Sequence, residues 1–198
     1  MTEKEKMLNH QLYDANYDKD LLKERIHAKE LCYDFNHLRP SQITEQNNII
    51  KALFGKTKES FVITAPFWCD YGYNIEIGEN FYTNHNCVIL DPAKVTFGDN
   101  VFIGPDCGFY TAGHPIDFER RNQGLEYAWP ITVGNNVWFG GGVKVMPGIT
   151  IGSNVVIGSG SIVTKNIPDN VVCAGNPCQI LREITDFDKM NPFDKFLE

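Results

Sequence analysis

The sequence lacks the features of an exported, membrane-spanning or nucleic-acid-binding protein. It has no apolar run near the roughly 18 residues that a membrane span requires. Its first residues, MTEKEKMLNHQ, are charged where a signal peptide would be apolar. With 18 Lys and Arg against 25 Asp and Glu, the formal net charge is −7, and no basic stripe is present to hold phosphates. We therefore expect a cytoplasmic protein without a nucleic-acid or membrane partner.

The sequence also lacks the cysteine and histidine spacing of a metal site or a disulfide scaffold. It has 6 Cys and 5 His, but no CxxC pair and no Cys/His cluster. Disulfide frameworks belong mainly to small exported domains, so we interpret the cysteines as free thiols. We expect no structural zinc site, and we assign no residue to a metal.

Glycine is scarce in the first 58 residues, whose pattern is helical. Thr2 and Glu5 have the spacing of a capping box, and residues 20–36 carry apolar side chains at near-helical spacing. A second helix follows Pro40. We predict an N-terminal helical segment over residues 1–58.

From about residue 59 the helical period gives way to a period of six. Each hexapeptide carries one apolar residue that marks the period. The position after this residue is often Gly, and the position four residues after it is small or β-branched. The same phase continues upstream to Ile77 when an insertion of two residues near 91–94 is allowed. Stepping by six gives an unbroken column of apolar residues: Val133, Phe139, Val145, Ile151, Ile157 and Val163.

Such a repeat is typical of a parallel β-helix, in which each hexapeptide supplies one short strand and one turn. Three hexapeptides complete a triangular coil of about 18 residues, and coils stack at the roughly 4.8 Å spacing of paired strands. A β-sandwich would instead give period-two alternation with irregular turn spacing. The predicted fold class is mainly β, with a β-helix over residues 59–176 and a short C-terminal helix and tail over 177–198.

Three cysteines fall at the small, inward position of the hexapeptide. Cys69 and Cys87 are 18 residues apart, and Cys87 and Cys107 are 20 residues apart across the insertion. Free Cys is among the most buried residue types. We therefore predict that the three thiols stack in one buried column.

The largest interruption of the repeat lies at about 111–130 and predicts a loop extruded from one corner of the coil. Its sequence is polar and has His114 near its start. Because a solenoid is a scaffold, function is expected where its period fails. His114 is thus the first candidate for a functional residue.

Several segments together resemble the maltose and galactoside O-acetyltransferases of the hexapeptide-repeat superfamily. They are YGYNIEIG, FYTNHNCVILD, TAGHPID, PITVGNNVWFGGGV and GSGSIVTKNIPDNVVCAGNPC, with the helical opening EKEKML. The resemblance covers residues 1 to about 184. It implies a left-handed β-helix, a homotrimer with active sites between subunits, acetyl-CoA as cosubstrate, and a small-molecule sugar as acceptor. It also implies that the N-terminal helical segment contributes to the acceptor site.

The resemblance assigns roles to individual residues. His114 matches the catalytic base, which would take the proton of the acceptor hydroxyl during direct attack on the thioester. Asn84 matches a residue that would stabilise the transition state by donating to the developing oxyanion. The acceptor pocket would be lined by residues that match, or lie close to, family positions: Asp14, Arg25, Asp70, Tyr82 and Asp91.

A second set of residues matches the family's coenzyme groove. Glycines there would let the pantetheine chain approach the backbone, while Lys165 and Arg182 would meet the phosphates. The same glycines would also serve the turns of the repeat. The coenzyme set is Trp138, Gly141, Gly142, Ser159, Gly160, Thr164, Lys165 and Arg182.

Three alternatives stay open at this point. The protein could acetylate another acceptor, such as an antibiotic or an amino acid. It could be a non-catalytic solenoid that only binds a ligand. The same fold can also host a zinc carbonic anhydrase, which needs three imidazoles on neighbouring coils, but only His85 and His114 lie in the repeat.

Overall fold

The N-terminal segment is helical in the computed structural model, which describes residues 1–189. Its elements are α1 (Glu3–Leu8), β1 (Tyr13–Asp14), α2 (Lys19–His37) and α3 (Ile43–Leu53). The predicted capping box is confirmed, because Thr2 accepts from the Glu5 amide while the Glu5 carboxylate accepts from the Thr2 amide. Asp18 caps α2 by accepting from the Leu21 amide.

Short parallel strands wind through about six coils. The first two coils contain β2 (Phe61–Ile63), β3 (Phe67–Cys69), β4 (Ile75–Glu76), β5 (Phe81–Thr83), β6 (Cys87–Leu90) and β7 (Val95–Phe97). The third contains β8 (Val101–Ile103), β9 (Gly108–Tyr110), an excursion with β10 (Ala112–Gly113), α4 (Phe118–Asn122) and β11 (Leu125–Ala128), and then β12 (Ile131–Val133). The remaining strands are β13 (Val137–Phe139), β14 (Lys144–Val145), β15 (Thr150–Ile151), β16 (Val155–Ile157), β17 (Ile162–Val163), β18 (Val171–Ala174) and β19 (Gln179–Glu183).

The strands form the three flanks of a prism, as the hexapeptide period predicts. The first flank contains β2, β5, β8, β13, β16, β18 and β19; the second contains β3, β6, β9, β14 and β17; the third contains β4, β7, β12 and β15. Neighbouring coils pair in parallel register on every flank. The predicted parallel β-helix is therefore confirmed.

The inside of the prism is apolar. All six members of the predicted column are at most 2% exposed, so the prediction that they point inward is correct. A ladder of aromatic rings, with centroids 5.0 to 5.1 Å apart, runs through Phe81, Phe97, Phe109 and Phe139. Cys32 and Phe35 of α2 join the same core and cover the first coil.

The predicted cysteine column is wrong for Cys69. Phe67 pairs with Cys87, and Cys69 pairs with Ile89, so Cys69 belongs to the next inward column. The reason is that the first two coils contain 20 residues and not 18. Cys87 and Cys107 do share a register, and all three thiols are buried as expected.

The predicted C-terminal helix is also wrong within the described residues. Residues Gln179–Glu183 form β19, which pairs antiparallel with β18, and a single 3-10 turn follows at Asp186–Lys189. The end of a β-helix leaves strand amides and carbonyls unpaired, and a returning strand satisfies them where a helix would not. The predictions for the tail after residue 189 lie outside the described residues.

Candidate functional site

All insertions of the repeat fall at one corner of the prism, between the second and third flanks. From a given register position on the second flank to a given register position on the third, the chain advances by 7 residues in each of the first two coils, by 23 in the third and by 5 in the fourth. The 23-residue excursion contains His114, and we call this edge the His114 corner. The corner between the first and second flanks, where Asn84 follows β5, is the Asn84 corner.

The N-terminal segment anchors the His114 corner. Strand β1 pairs antiparallel with β11, which in turn pairs with β10, so that Tyr13 lies opposite Glu126. The ring nitrogen Nδ1 of His10 lies 3.0 Å from the Ala128 carbonyl oxygen. The residue that follows β10 is His114 itself. The extruded loop is thus a three-stranded sheet built partly from residues more than 100 positions earlier in the chain.

The imidazole of His114 is held in one tautomer. Its Nδ1 lies 2.9 Å from the carbonyl oxygen of Leu125. A carbonyl oxygen can only accept, so Nδ1 carries the proton and Nε2 keeps its lone pair. The Oε1 atom of Glu126 lies 3.5 Å from Nε2, and the His114 side chain is 44% exposed. The ring is therefore oriented, accessible and able to accept a proton at Nε2.

His114 lines a cavity of about 490 Å³ between α2 and the His114 corner. Its walls combine charged side chains with an apolar patch. The charged and polar members are Arg25, Lys29, Asp70, His114 and Glu126, and the others are Leu22, Ile26, Leu90, Ala112 and Gly113. Pockets of this size and mixed lining suit small molecules that carry several polar groups.

Arg25 and Asp70 carry opposite charges, and both side chains line this cavity. One Arg25 nitrogen donates to the Ala15 carbonyl and the other lies 3.4 Å from the Tyr71 hydroxyl oxygen, so the guanidinium is fixed on its inner side. Burial raises the pKa of the Asp70 carboxyl, and the positive charge of Arg25 opposes that rise. Carboxylates in such a place can accept hydrogen bonds from hydroxyl groups.

Three of the five residues predicted for the acceptor pocket do not line this cavity: Asp14, Asp91 and Tyr82. Asp14 instead accepts from the amides of Asn16 and Tyr17 at 3.1 and 2.9 Å. Asp91 is fully buried, and its Oδ1 accepts from the amides of Asp70 and Tyr71 at 3.1 and 2.9 Å. Burial raises the pKa of Asp91 to about 7. Within one chain, Asp91 therefore supports the turn that presents Asp70.

Asn84 and Tyr82 lie at the Asn84 corner, in a different cavity of about 280 Å³. The Oδ1 atom of Asn84 accepts from the His85 amide at 2.7 Å, a bond within its own turn. The two corners are separated by the width of the second flank, about 10–15 Å for its short strands. One chain therefore does not bring Asn84 and His114 into a common cavity.

The predicted coenzyme residues are divided between the same two corners. Trp138, Gly141 and Ser159 line the cavity at the Asn84 corner. Thr164 and Lys165 follow β17 and lie at the His114 corner. Gly142 and Gly160 occupy turns near the Asn84 corner, and Arg182 lies on β19.

The two glycines and Arg182 are explained in part by local structure. Gly142 and Gly160 have φ of +75° and +74°, which side chains rarely adopt, so the turns favour glycine there, although Asn86 and Asp106 hold the same position in earlier coils. The space around Gly160 is open, which leaves room for a ligand chain. Arg182 forms a two-pronged ion pair with Asp188 at 2.8 and 2.6 Å. Trp138 is 56% exposed, so its indole lies on the outside of the first flank.

Sequence reasoning missed Glu126, Lys29 and Tyr13. Glu126 lies in a polar interruption without a motif of its own, and its neighbour Tyr13 is 113 positions away. Lys29 lies four residues after Arg25 on α2, a spacing that could have placed both on one face. Only the register of β1 on β11 brings Tyr13 to the site.

Two kinds of site are absent from residues 1–189. No group of three or more His, Cys, Asp or Glu side chains there is arranged to hold a metal ion. Among the helices of these residues, none combines the length and the apolar character that crossing a membrane requires.

Comparisons with known proteins agree with the fold. Residues 6–58 match the maltose acetyltransferase hexapeptide capping motif, and residues 130–165 match the bacterial transferase hexapeptide repeats. A Saccharomyces cerevisiae protein named as a candidate acetyltransferase is 56% identical over 90% of this chain and 91% of its own.

Two solved structures resemble the whole chain. A maltose O-acetyltransferase from Clostridium difficile 630 is 49% identical, with a TM-score of 0.90 over 94% of this chain and 99% of its own. A galactoside acetyltransferase in complex with coenzyme A is 45% identical, with a TM-score of 0.93 over 98% of this chain and 96% of its own. The chain therefore belongs to the maltose and galactoside acetyltransferase family of hexapeptide-repeat acetyltransferases.

Proposed function

We propose that the protein transfers the acetyl group of acetyl-CoA to a hydroxyl group of a sugar or glycoside. The observation that carries the proposal is the fixed tautomer of His114 beside a cavity lined by carboxylates and cations. The solved relatives support it, because one is named a maltose O-acetyltransferase and the other, a galactoside acetyltransferase, holds coenzyme A. The 6 cysteines, all free in the structure, suit a reducing compartment, and we infer that the reaction takes place in the cytoplasm.

The proposed reaction is a direct transfer with His114 as general base. The Nε2 atom takes the proton of the sugar hydroxyl while the hydroxyl oxygen attacks the thioester carbonyl carbon. A C–O bond forms, the carbonyl oxygen becomes an oxyanion, and the C–S bond breaks as the oxyanion collapses. The proton on Nε2 then passes to the departing sulfur, so that coenzyme A leaves as a thiol and the imidazole returns to its neutral form.

Stabilisation of the oxyanion is assigned to Asn84. Its Oδ1 is occupied by the His85 amide, so its amide nitrogen is the end that would donate to the oxyanion. Trp138, Gly141 and Ser159 line the same cavity and would hold the pantetheine chain. Lys165 would meet the coenzyme phosphates as a point charge.

The active site of this proposal lies between subunits of a homotrimer. It requires Asn84 and His114 at one acceptor oxygen, yet they occupy different corners of a single prism. Threefold packing would bring the Asn84 corner of one copy against the His114 corner of the next. The outer face of the first flank is suited to such contact, since Val62, Phe102 and Trp138 are 54, 42 and 56% exposed.

Thiol release from acetyl-CoA tests the function. We would follow it with a colorimetric thiol reagent across sugars, glycosides, amino acids and amine-bearing antibiotics. We expect turnover with sugars, loss of at least about 100-fold in His114→Ala, and nearly unchanged coenzyme binding by calorimetry. The matched control is His37→Ala, an exposed histidine at the end of α2 that lines neither the His114 cavity nor the Asn84 cavity. Full turnover in His114→Ala would refute the assignment of the base.

Mixing two inactive variants tests the position of the site. His114→Ala and Asn84→Ala chains would be unfolded together in equal amounts and refolded. If each site uses His114 from one copy and Asn84 from its neighbour, about a quarter of the sites in random mixed trimers regain both residues. We expect activity near that fraction of the wild type. Activity that stays at the level of the separate variants would contradict a shared site.

A further inference from the structure

The Glu126 side chain lies between Tyr13 and His114. Its Oε2 accepts from the Tyr13 hydroxyl at 2.7 Å, and its Oε1 lies 3.5 Å from Nε2 of His114. Tyr13 and Glu126 are directly opposite each other on β1 and β11, so both side chains emerge on the same face of the small sheet. The carboxylate thus has one oxygen fixed and one directed to the base.

The environment of this carboxylate strengthens its effect. Tyr13 is fully buried and the Glu126 side chain is 15% exposed, whereas His114 is 44% exposed. Burial, together with the negative charge of Glu126, raises the pKa of Tyr13, so its hydroxyl stays protonated and continues to donate. Charges interact more strongly where little water surrounds them. A fixed, shielded carboxylate beside Nε2 is therefore placed to attract a positive charge that forms on the ring during the reaction.

We propose that Tyr13 and Glu126 are positioning residues for the base: the Tyr13 hydroxyl holds the Glu126 carboxylate, and the carboxylate stabilises the His114 imidazolium formed during the transfer. The inference rests on the proposed function of His114. Neutral His114 gains little from a carboxylate at 3.5 Å, because its Nε2 has no proton to donate. The interaction strengthens when the sugar proton arrives, so it acts on the transition state and not on binding of the ground state.

This role differs from two simpler ones. If Glu126 only accepted a hydrogen bond from the sugar, its removal would raise KM for the acceptor and leave kcat almost unchanged. If Tyr13 only filled the core, Tyr13→Phe would lower stability without a specific effect on kcat. The charges that share the cavity, Arg25 and Lys29 from α2 and Asp70 from the neighbouring turn, remain in place in all these variants.

The test is a double-mutant cycle on kcat with Glu126→Gln, Tyr13→Phe and the combined variant. Glutamine keeps the shape of the side chain and removes its charge, and phenylalanine removes only the hydroxyl. We expect kcat to fall about 10- to 100-fold in Glu126→Gln and about 3- to 10-fold in Tyr13→Phe. The combined variant should be no slower than Glu126→Gln, because Tyr13 acts through the carboxylate. The KM for acetyl-CoA should change less than about twofold.

The matched controls are Glu119→Gln on α4 and Tyr17→Phe, which make the same chemical changes at exposed positions near the same loop. Both should retain the kcat of the parent. Wild-type kcat in Glu126→Gln, an effect confined to acceptor KM, or full multiplication of the two effects in the combined variant would overturn the proposal. Folding of Tyr13→Phe is checked by circular dichroism, and Glu126→Gln tests the idea independently of it.

The two proposals fail in different ways. If His114→Ala keeps its turnover, the base is misassigned, and the proposed role of Tyr13 and Glu126 is refuted as well. If His114→Ala is inactive while Glu126→Gln is fully active, the general-base function stands and only the proposed role of Tyr13 and Glu126 is refuted.

Discussion

The buried carboxylate of Asp91 should make the protein less stable as the pH rises. Asp91 is fully buried beneath the His114 corner, and its Oδ2 has no hydrogen-bond partner within residues 1–189. Burial raises the pKa of Asp91 from 3.8 to about 7, although the Tyr71 and Asp70 amides lower it. Ionised Asp91 is therefore tolerated in the folded chain only at a cost in free energy.

The sign and size of the effect follow from proton linkage. Because the pKa of Asp91 is higher in the folded chain, the folded state binds more protons than the unfolded state between about pH 4 and pH 7. The stabilisation from protonated Asp91 is complete below the unfolded pKa and is lost as the pH rises through the folded one. The full loss is roughly 4 kcal/mol, and about 2–3 kcal/mol of it falls between pH 5 and pH 8.

Denaturant unfolding of the wild type and Asp91→Asn measures this loss. Asparagine keeps an oxygen to accept from the Asp70 and Tyr71 amides and cannot ionise. We expect the stability difference between variant and wild type to shift by about 2–3 kcal/mol in favour of the variant from pH 5 to pH 8. Asp99→Asn is the control, because the exposed Asp99 carboxylate also accepts a backbone amide, from Glu79 at 2.7 Å. Its stability difference gives the effect of the same substitution where the carboxylate is exposed.

The comparison across pH removes the fixed cost of the substitution. A buried asparagine nitrogen without a partner lowers stability by a similar amount at every pH, so that cost cancels in the shift. A constant difference between Asp91→Asn and the wild type from pH 5 to pH 8 would show that Asp91 does not titrate in this range. The argument from burial would then be refuted.

Three further outcomes are expected. Lys165→Ala should weaken acetyl-CoA binding about tenfold by calorimetry while kcat changes little, and unchanged affinity would remove Lys165 from the groove. Gly142→Ala should lower the free energy of unfolding by about 1 kcal/mol, since φ there is +75°, and no loss would contradict the turn argument. Asn36→Ala should cost about 1–3 kcal/mol, because that side chain both donates to and accepts from the Phe67 backbone at 2.9 and 2.8 Å. The exposed Asn48→Ala change on α3 is its control, and equal effects of the two would refute the reasoning.

The solenoid could be predicted from the sequence because its signal is periodic and local. Each hexapeptide repeats the same inward residue, so Val133 or Ile157 can be assigned to the core without knowing its neighbours. The column that contains Cys69 could not be assigned in this way. Its register depends on where the extra residues of a coil are placed, and a spacing of 18 from Cys87 suggested a match that the 20-residue coil excludes.

Within the repeat, site residues could be predicted where they lie next to an interruption, and His114 is such a residue. The environment of His114 could not be predicted, because Leu125 and Glu126 reach it through the antiparallel pairing of β11. The C-terminal strand is a similar case. Its sequence suits a helix or a strand, and the unpaired edge of β18 decides between them.

The placement of every insertion at one corner explains why the N-terminal segment and the solenoid form one unit at the site. A regular prism has three equivalent corners, short turns and a filled interior. Longer turns at 70–74 and 91–94 open the His114 corner, and the extruded loop supplies a sheet edge there that β1 completes. The residue that fixes the charge beside the base, Tyr13, is therefore also a residue that holds the N-terminal segment on the solenoid. Loss of β1 pairing should remove both the order of the loop and the acidic partner of His114. Truncation therefore cannot separate the structural function of this segment from its effect on the base. The single-atom change Tyr13→Phe separates the two.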